Sequence, residues 1–120
     1  MEKLSLYIHI PFCLRRCGYC DFNTFAGVTS LIPSYINAVC QELQAVLGNQ
    51  PGDLLVHTIY FGGGTPSLIT IDQYDKVFNS IKKLIPVSED AEISLEANPG
   101  TVNQEYLEGL REVGFNRISF

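Results

Sequence analysis

The sequence predicts an α/β fold of parallel strands alternating with helices. Two observations carry the prediction. Segments with period-two patterning alternate with segments whose apolar residues recur at three and four, in the order strand, loop, helix, strand, helix, strand, helix, strand. Breakers then mark element ends: Pro11 after the first strand, Gly62-Gly63-Gly64 after the second, Pro86 after a helix and Gly114 after another.

Residues 4–10 alternate Leu4, Leu6, Ile8 and Ile10 against Ser5, Tyr7 and His9, a strand with one polar face that Pro11 ends. Pro33 suits the first helical position, and Tyr35, Ile36, Val39, Cys40, Leu43, Val46 and Leu47 follow at helical spacing. Gly48 is the expected left-handed stop of that helix. Residues 57–61 form the second strand and run into the triple glycine. Thr70-Ile71-Asp72-Gln73 has the form of a capping box before Tyr74, Val77, Phe78, Ile81 and Leu84. The third strand covers residues 92–96, with Ile93 and Leu95 on one face and Glu92, Ser94 and Glu96 on the other. Thr101-Val102-Asn103-Gln104 has the form of a second capping box, opening a helix through Tyr106, Leu107, Leu110 and Val113 that stops at Gly114. Residues 117–120 begin a fourth strand. Strands one, three and four each place polar groups on one face, so helices should cover the apolar face while the polar face lines a cavity.

The chemistry concentrates in one eight-residue stretch, Cys13-Leu14-Arg15-Arg16-Cys17-Gly18-Tyr19-Cys20. Three thiolates this close can hold three irons of a [4Fe–4S] cluster, whose usual complement is four cysteines. With no fourth ligand beside the triplet, one iron stays open for a substrate or cofactor. A disulfide framework does not suit the spacing, because three clustered cysteines cannot all pair. The first residues also lack the long apolar stretch of a signal peptide. Zinc is the rival, since His9 lies four residues before Cys13. Zinc sites usually pair a CxxC with a second, distant pair, which the sequence does not offer; zinc would make the chain a zinc-binding interaction module. Cys40 has apolar neighbours at helical spacing and reads as a small core residue.

The net charge of −5 comes from eight scattered basic and thirteen acidic residues, which excludes a basic stripe for nucleic acid. Arg15 and Arg16 sit within the cysteine stretch, either as a solvated tip or as charge balance for an anionic site. No apolar run approaches the roughly 20 residues of a membrane span. A soluble, cytoplasmic protein is expected.

CxxxCxxC resembles the signature of the radical S-adenosylmethionine (SAM) superfamily. The flanking Tyr7-Ile8-His9-Ile10-Pro11-Phe12-Cys13, with Phe61-Gly62-Gly63-Gly64-Thr65-Pro66-Ser67 and Glu96-Ala97-Asn98-Pro99-Gly100-Thr101, resembles its oxygen-independent coproporphyrinogen III oxidase group. The resemblance implies the N-terminal part of a partial (β/α)6 TIM-like barrel, residues 1–120 being one portion of a single radical SAM core domain. It implies Cys13, Cys17 and Cys20 as ligands of a [4Fe–4S] cluster whose open iron chelates SAM for reductive cleavage. It further implies SAM contacts at Tyr7, Gly63, Gly64, Thr65 and Glu96, and at Tyr19 by a weaker match.

Oxidases of the group carry a further cysteine two residues after the triplet, where this sequence has Phe22, and an extension before the cysteine loop. Both departures resemble the heme-chaperone branch, which binds heme and delivers it to acceptor proteins such as respiratory enzymes. The implied partners are a heme or porphyrin ligand, heme-acceptor proteins and an electron donor to the cluster. The alternative is oxidative decarboxylation of coproporphyrinogen III in porphyrin biosynthesis. His9 and His57 are the only histidines, and neither is assigned to heme. His9 reads as support for the cysteine loop and His57 as a satisfied structural residue.

Overall fold

The computed structural model describes residues 2–13, 25–26, 29–50 and 52–120. In chain order the elements are β1 (Glu2–Ile10), β2 (Phe12–Cys13), β3 (Phe25–Ala26), α1 (Ile32–Leu47), β4 (Leu54–Gly63), α2 (Ile71–Leu84), β5 (Val87–Glu96), α3 (Gln104–Val113) and β6 (Arg117–Ser119). Four strands form one parallel sheet in the order β1-β4-β5-β6, so each helix carries the chain to the next position in the sheet. This is the predicted α/β alternation. The short strands β2 and β3 pair with each other, Phe12 opposite Phe25 and Cys13 opposite Ala26.

Local signals account for most element ends. Pro33 lies in the first turn of α1, one residue later than expected. There its missing N–H costs no intrahelical bond. At Thr70 the capping box is complete: Thr70 Oγ1 accepts the Gln73 amide at 3.1 Å, and Gln73 Oε1 accepts the Thr70 amide at 2.9 Å. Gly114 ends α3 at φ 137°, a backbone that favours glycine.

α1 ends at Leu47 with Gly48 as its cap, as expected, although Gly48 keeps ordinary helical angles rather than left-handed ones (φ −64°, ψ −21°). One expectation is corrected. Thr101 is not a helix cap. Asn103 caps α3, its Oδ1 accepting the Tyr106 amide at 2.8 Å. Asparagine is the stronger capping residue and stands next to the first helical position. Thr101 instead closes a single turn of 3₁₀ helix, Pro99–Thr101.

β1, β4 and β5 also begin earlier than predicted, and irregular pairing breaks the period-two pattern in β4 and β5. Leu4 faces Val56 while Ser5 faces Thr58, so His57 is an extra residue in β4. Val56 and Ile59 are therefore both buried, although three positions apart. Between β4 and β5 the pairing jumps from Val56–Val87 to Thr58–Glu92, which hides the first half of β5 from an alternation test.

The core lies between the sheet and the three helices. Ile8, Ile10, Ile59, Phe61 and Leu95 meet Ile36, Val39 and Leu43 of α1, Tyr74, Val77, Phe78 and Ile81 of α2, and Leu110 of α3. Phe61 sits edge-on to Tyr74 and Phe78 at 4.9 and 5.7 Å, and Phe115 closes the aromatic group 4.8 Å from Tyr74. Cys40 is half-buried against this core, as expected. Register places Tyr7, Tyr60, Ser94 and Arg117 in one row across the four strands of the opposite face.

Candidate functional site

Parallel strands bring their C-terminal ends to one edge of the sheet. β1 leads through Pro11 into β2, β4 ends in the glycine run, and β5 ends at Glu96. Two short hydrogen bonds join the first two exits. The Gly64 amide donates to the Ile10 carbonyl at 2.7 Å, and the Thr65 amide donates to the Phe12 carbonyl at 2.6 Å. The glycine loop is thus fastened beside the backbone of Cys13. The β2–β3 pair also holds together the two ends of the stretch that carries Cys17 and Cys20.

A polar cluster stands on the open face at this edge. Tyr60 donates its hydroxyl to Glu96 Oε1 at 2.7 Å. The Tyr7 ring stacks on Tyr60 at 5.8 Å, and its hydroxyl lies 3.1 Å from His9 Nδ1. Tyr7 is 58% exposed, unusual for an aromatic residue in a strand centre. Burial, followed by the hydrogen bond to Glu96 and its charge, pushes the Tyr60 phenol up to about 12. Burial and then the Glu96 charge raise Tyr7 as well. Both phenols therefore remain protonated donors at neutral pH.

The glycines make room for this cluster. A Cβ on Gly62 would lie 2.7 Å from Glu96 Oε1, 2.9 Å from the Tyr60 ring and 3.0 Å from the Tyr7 ring. Gly63 has φ 115°, and a Cβ there would lie 2.6 Å from His9 Cε1 and 2.9 Å from the Ile10 carbonyl. Gly62 is thus required by close approach, and Gly63 by backbone conformation as well.

A second latch joins the loops after β4 and β5. Buried Ser67 shares a short hydrogen bond with Thr101 and accepts the Asn98 amide at 3.4 Å. Asn98 Oδ1 caps the turn by accepting the Gly100 amide at 2.9 Å. Gly64, Thr65, Pro66, Glu96, Ala97 and Asn98 line a cleft between the two loops.

Of the residues singled out in the sequence, Tyr7, Gly63, Gly64, Thr65 and Glu96 converge at this edge, with the backbone of Cys13 beside them. Cys17, Cys20 and Tyr19 lie outside the described residues, as do Arg15, Arg16 and Phe22. Sequence reasoning missed Tyr60, Gly62 and Ser67. Tyr60 had a signal: it precedes the glycine run on the same strand, two residues from the first glycine. Ser67 had none, because its partner is 34 residues away. His57 differs from expectation, since its buried Nδ1 has no hydrogen-bond partner among the described residues.

The donor set limits what the site can bind. The Gly64 and Thr65 amides are already used, so the rim offers carbonyl oxygens, a carboxylate and phenols. Such a rim fits the cationic or hydroxylated end of a ligand rather than a phosphate. The ammonium and ribose groups of SAM meet that requirement, so the residues present fit it.

A parallel α/β sheet with cysteines after its first strand and a glycine loop after its second defines a radical SAM protein. The model of the Radical SAM superfamily matches residues 7–120, and the chain belongs to that superfamily. Its members use SAM and an iron–sulfur cluster. Among curated proteins, the chain is 42% identical to "Heme chaperone HemW" of Synechocystis sp. over 121 aligned positions, covering 96% of this chain and 29% of that protein. It is also 42% identical to "Oxygen-independent coproporphyrinogen III oxidase" of the same organism, over 98% of this chain and 25% of that protein. Coproporphyrinogen III oxidase (HemN) from Escherichia coli, a radical SAM enzyme, superposes with a TM-score of 0.88 at 32% identity, covering 98% of this chain and 27% of that one. The chain thus spans under a third of the length of these relatives. Among the described residues, no helix is long and apolar enough to cross a membrane.

Proposed function

We propose that the chain is the cofactor-holding N-terminal portion of a single radical SAM core domain in a cytoplasmic heme chaperone. The whole protein would bind heme and deliver it to acceptor proteins such as respiratory enzymes. In this reading Cys13, Cys17 and Cys20 hold a [4Fe–4S] cluster, and the cluster with bound SAM supplies one-electron chemistry. Gly63, Gly64 and Thr65 contact the SAM ammonium; the Thr65 carbonyl already accepts the Leu68 amide at 3.0 Å. Glu96 accepts a hydrogen bond from the ammonium or ribose. Tyr7 contacts the bound SAM, and Tyr19 in the cysteine stretch contacts a second SAM.

The observation that carries the cofactor part is the committed donor set: the loop's amides are spent on Ile10 and Phe12, leaving acceptors beside Glu96 and the Cys13 backbone. The heme-delivery part is supported by the similarity to HemW and by Phe22, which stands where the resembling oxidases carry a further cysteine. The second reading, oxidation of coproporphyrinogen III with an external electron donor, is favoured by the equal similarity to the Synechocystis oxidase.

The deciding experiment uses the full-length protein, anaerobically reconstituted with iron and sulfide. One arm measures transfer of bound heme to an apo acceptor, and the other measures decarboxylation of coproporphyrinogen III. Heme transfer without decarboxylation is expected. Robust turnover of the porphyrinogen reverses the assignment.

A further inference from the structure

We infer that Tyr60 is a positioning residue for SAM, fixing the carboxylate of Glu96 through its phenol. The inference rests on the proposed reading of Glu96 as a SAM contact. A glutamate at the end of a strand has freely turning side-chain bonds, and ordering them costs free energy that a bound ligand must otherwise supply. Tyr60 removes that cost before the ligand arrives.

The geometry is specific. Directly opposite Tyr60 on β5 is Ser94, and Glu96 lies two residues further on. Ser94 is small and buried, so the Tyr60 ring leans past it along the strand to reach Glu96 Oε1 at 2.7 Å. The ring is held from the other side by Tyr7, stacked at 5.8 Å and 30°. Gly62 leaves the space above the strand in which carboxylate and both rings meet.

The choice of partner also matters. Arg117 lies in the same cross-strand row as Tyr60 but pairs with Glu92 at 2.8 Å. Glu96 is therefore held by a neutral donor. A phenol orients a carboxylate while leaving its full negative charge for the ligand, whereas a guanidinium would neutralise it. The phenol's raised pKa keeps it a donor across the physiological range. Among the described residues the Glu96 side chain makes no other hydrogen bond, so its remaining acceptor capacity is free for the ligand.

The test is a double-mutant cycle in reconstituted full-length protein, with SAM affinity measured by calorimetry and by the change SAM causes in the cluster's electron paramagnetic resonance. Y60F should weaken SAM binding by roughly 10- to 150-fold, the size of a hydrogen bond to a charged group, with iron content unchanged. E96A should weaken it further, and adding Y60F to E96A should have no additional effect. If E96A weakens SAM binding while Y60F leaves it at the wild-type value, or if the two effects simply add, Tyr60 does not act through Glu96. If E96A leaves SAM binding unchanged, the reading of Glu96 itself fails. If a variant does not take up the cluster, the same cycle is read from the stability of the apo protein. Coupling between positions 60 and 96 is expected there as well, and its absence overturns the inference.

Discussion

Adjacent glycines at the end of β4 should fail in opposite ways when each is replaced by alanine. At Gly63 the backbone sits at φ 115°, which costs an alanine about 1–3 kcal/mol. The new Cβ would also lie 2.9 Å from the Ile10 carbonyl, which is already fixed by the Gly64 amide, and 2.6 Å from the His9 ring. Backbone cannot swing aside, so Gly63→Ala should lose about 2–4 kcal/mol in all, by strain plus overpacking. Gly62 has no positive φ, and its would-be Cβ meets only the outer ends of Glu96, Tyr60 and Tyr7. Those side chains can turn away, so Gly62→Ala should cost about 1 kcal/mol of stability, near the low end of overpacking. Their displacement removes the proposed SAM contacts, and SAM affinity should fall about tenfold or more, the equivalent of one lost charged hydrogen bond. Gly52→Ala, with nothing within 4 Å of its Cβ, is the control and should change neither quantity. Urea unfolding of the full-length protein and calorimetric SAM titration measure the two effects. The reasoning is refuted if Gly63→Ala stays within about 0.5 kcal/mol of wild type, the ordinary surface range. It is equally refuted if Gly62→Ala proves the less stable of the pair.

Replacing Cys13, Cys17 or Cys20 by alanine should abolish iron uptake on anaerobic reconstitution, while Cys40→Ala, half-buried on α1, should leave it intact; tight binding of one zinc with no cluster would sink this ligand set. Removing the α2 cap with Thr70→Ala should cost about 1 kcal/mol in urea unfolding, and Asn103→Ala a similar amount at α3. The Tyr60 phenol is raised in the folded state, so its stabilising contribution is complete below the ordinary value of 10.0 and is lost as pH rises through about 12. The stability gap between wild-type and Y60F apo protein should therefore narrow over that window. A gap that stays constant would show that Tyr60 titrates alike in both states.

The α/β class, the order of elements and the parallel strands were legible because helix period and strand period alternate cleanly along the chain. The glycine loop and Glu96 were legible because each directly follows a recognisable strand. What escaped has physical reasons. The extra residue at His57 flips side-chain faces, so a period-two test finds β4 only after it. The sequence Thr101-Val102-Asn103-Gln104 satisfies the capping-box pattern, yet Asn103 competes for the same helix end and wins it. Tyr60 stands just before the glycine run, but its partners follow from register, which sets it beside Tyr7 and diagonal to Glu96. Ser67 and Thr101 meet through tertiary contact alone.

The equal 42% identity to a heme chaperone and to an oxidase carries an argument of its own. The features built up above form an apparatus for holding a cofactor: amides spent on fastening the loop after β4 to β1 and β2, a carboxylate set by a neutral donor, and glycines that clear the space above them. Nothing in that apparatus selects a tetrapyrrole or moves one. Two proteins that do different things with a porphyrin can therefore keep it alike, and similarity over this region measures the shared demand of the cofactor. The difference between them must be written in residues that touch the tetrapyrrole or the second half of the cofactor. Phe22, two residues beyond the third cysteine, stands where the resembling oxidases carry a further cysteine and is the position to test. If the cofactor apparatus is common property, Phe22→Cys in the full-length protein should leave iron content and SAM affinity unchanged, and any effect should fall on tetrapyrrole handling alone. A change in SAM affinity would instead place Phe22 within the cofactor site and undo this division of labour.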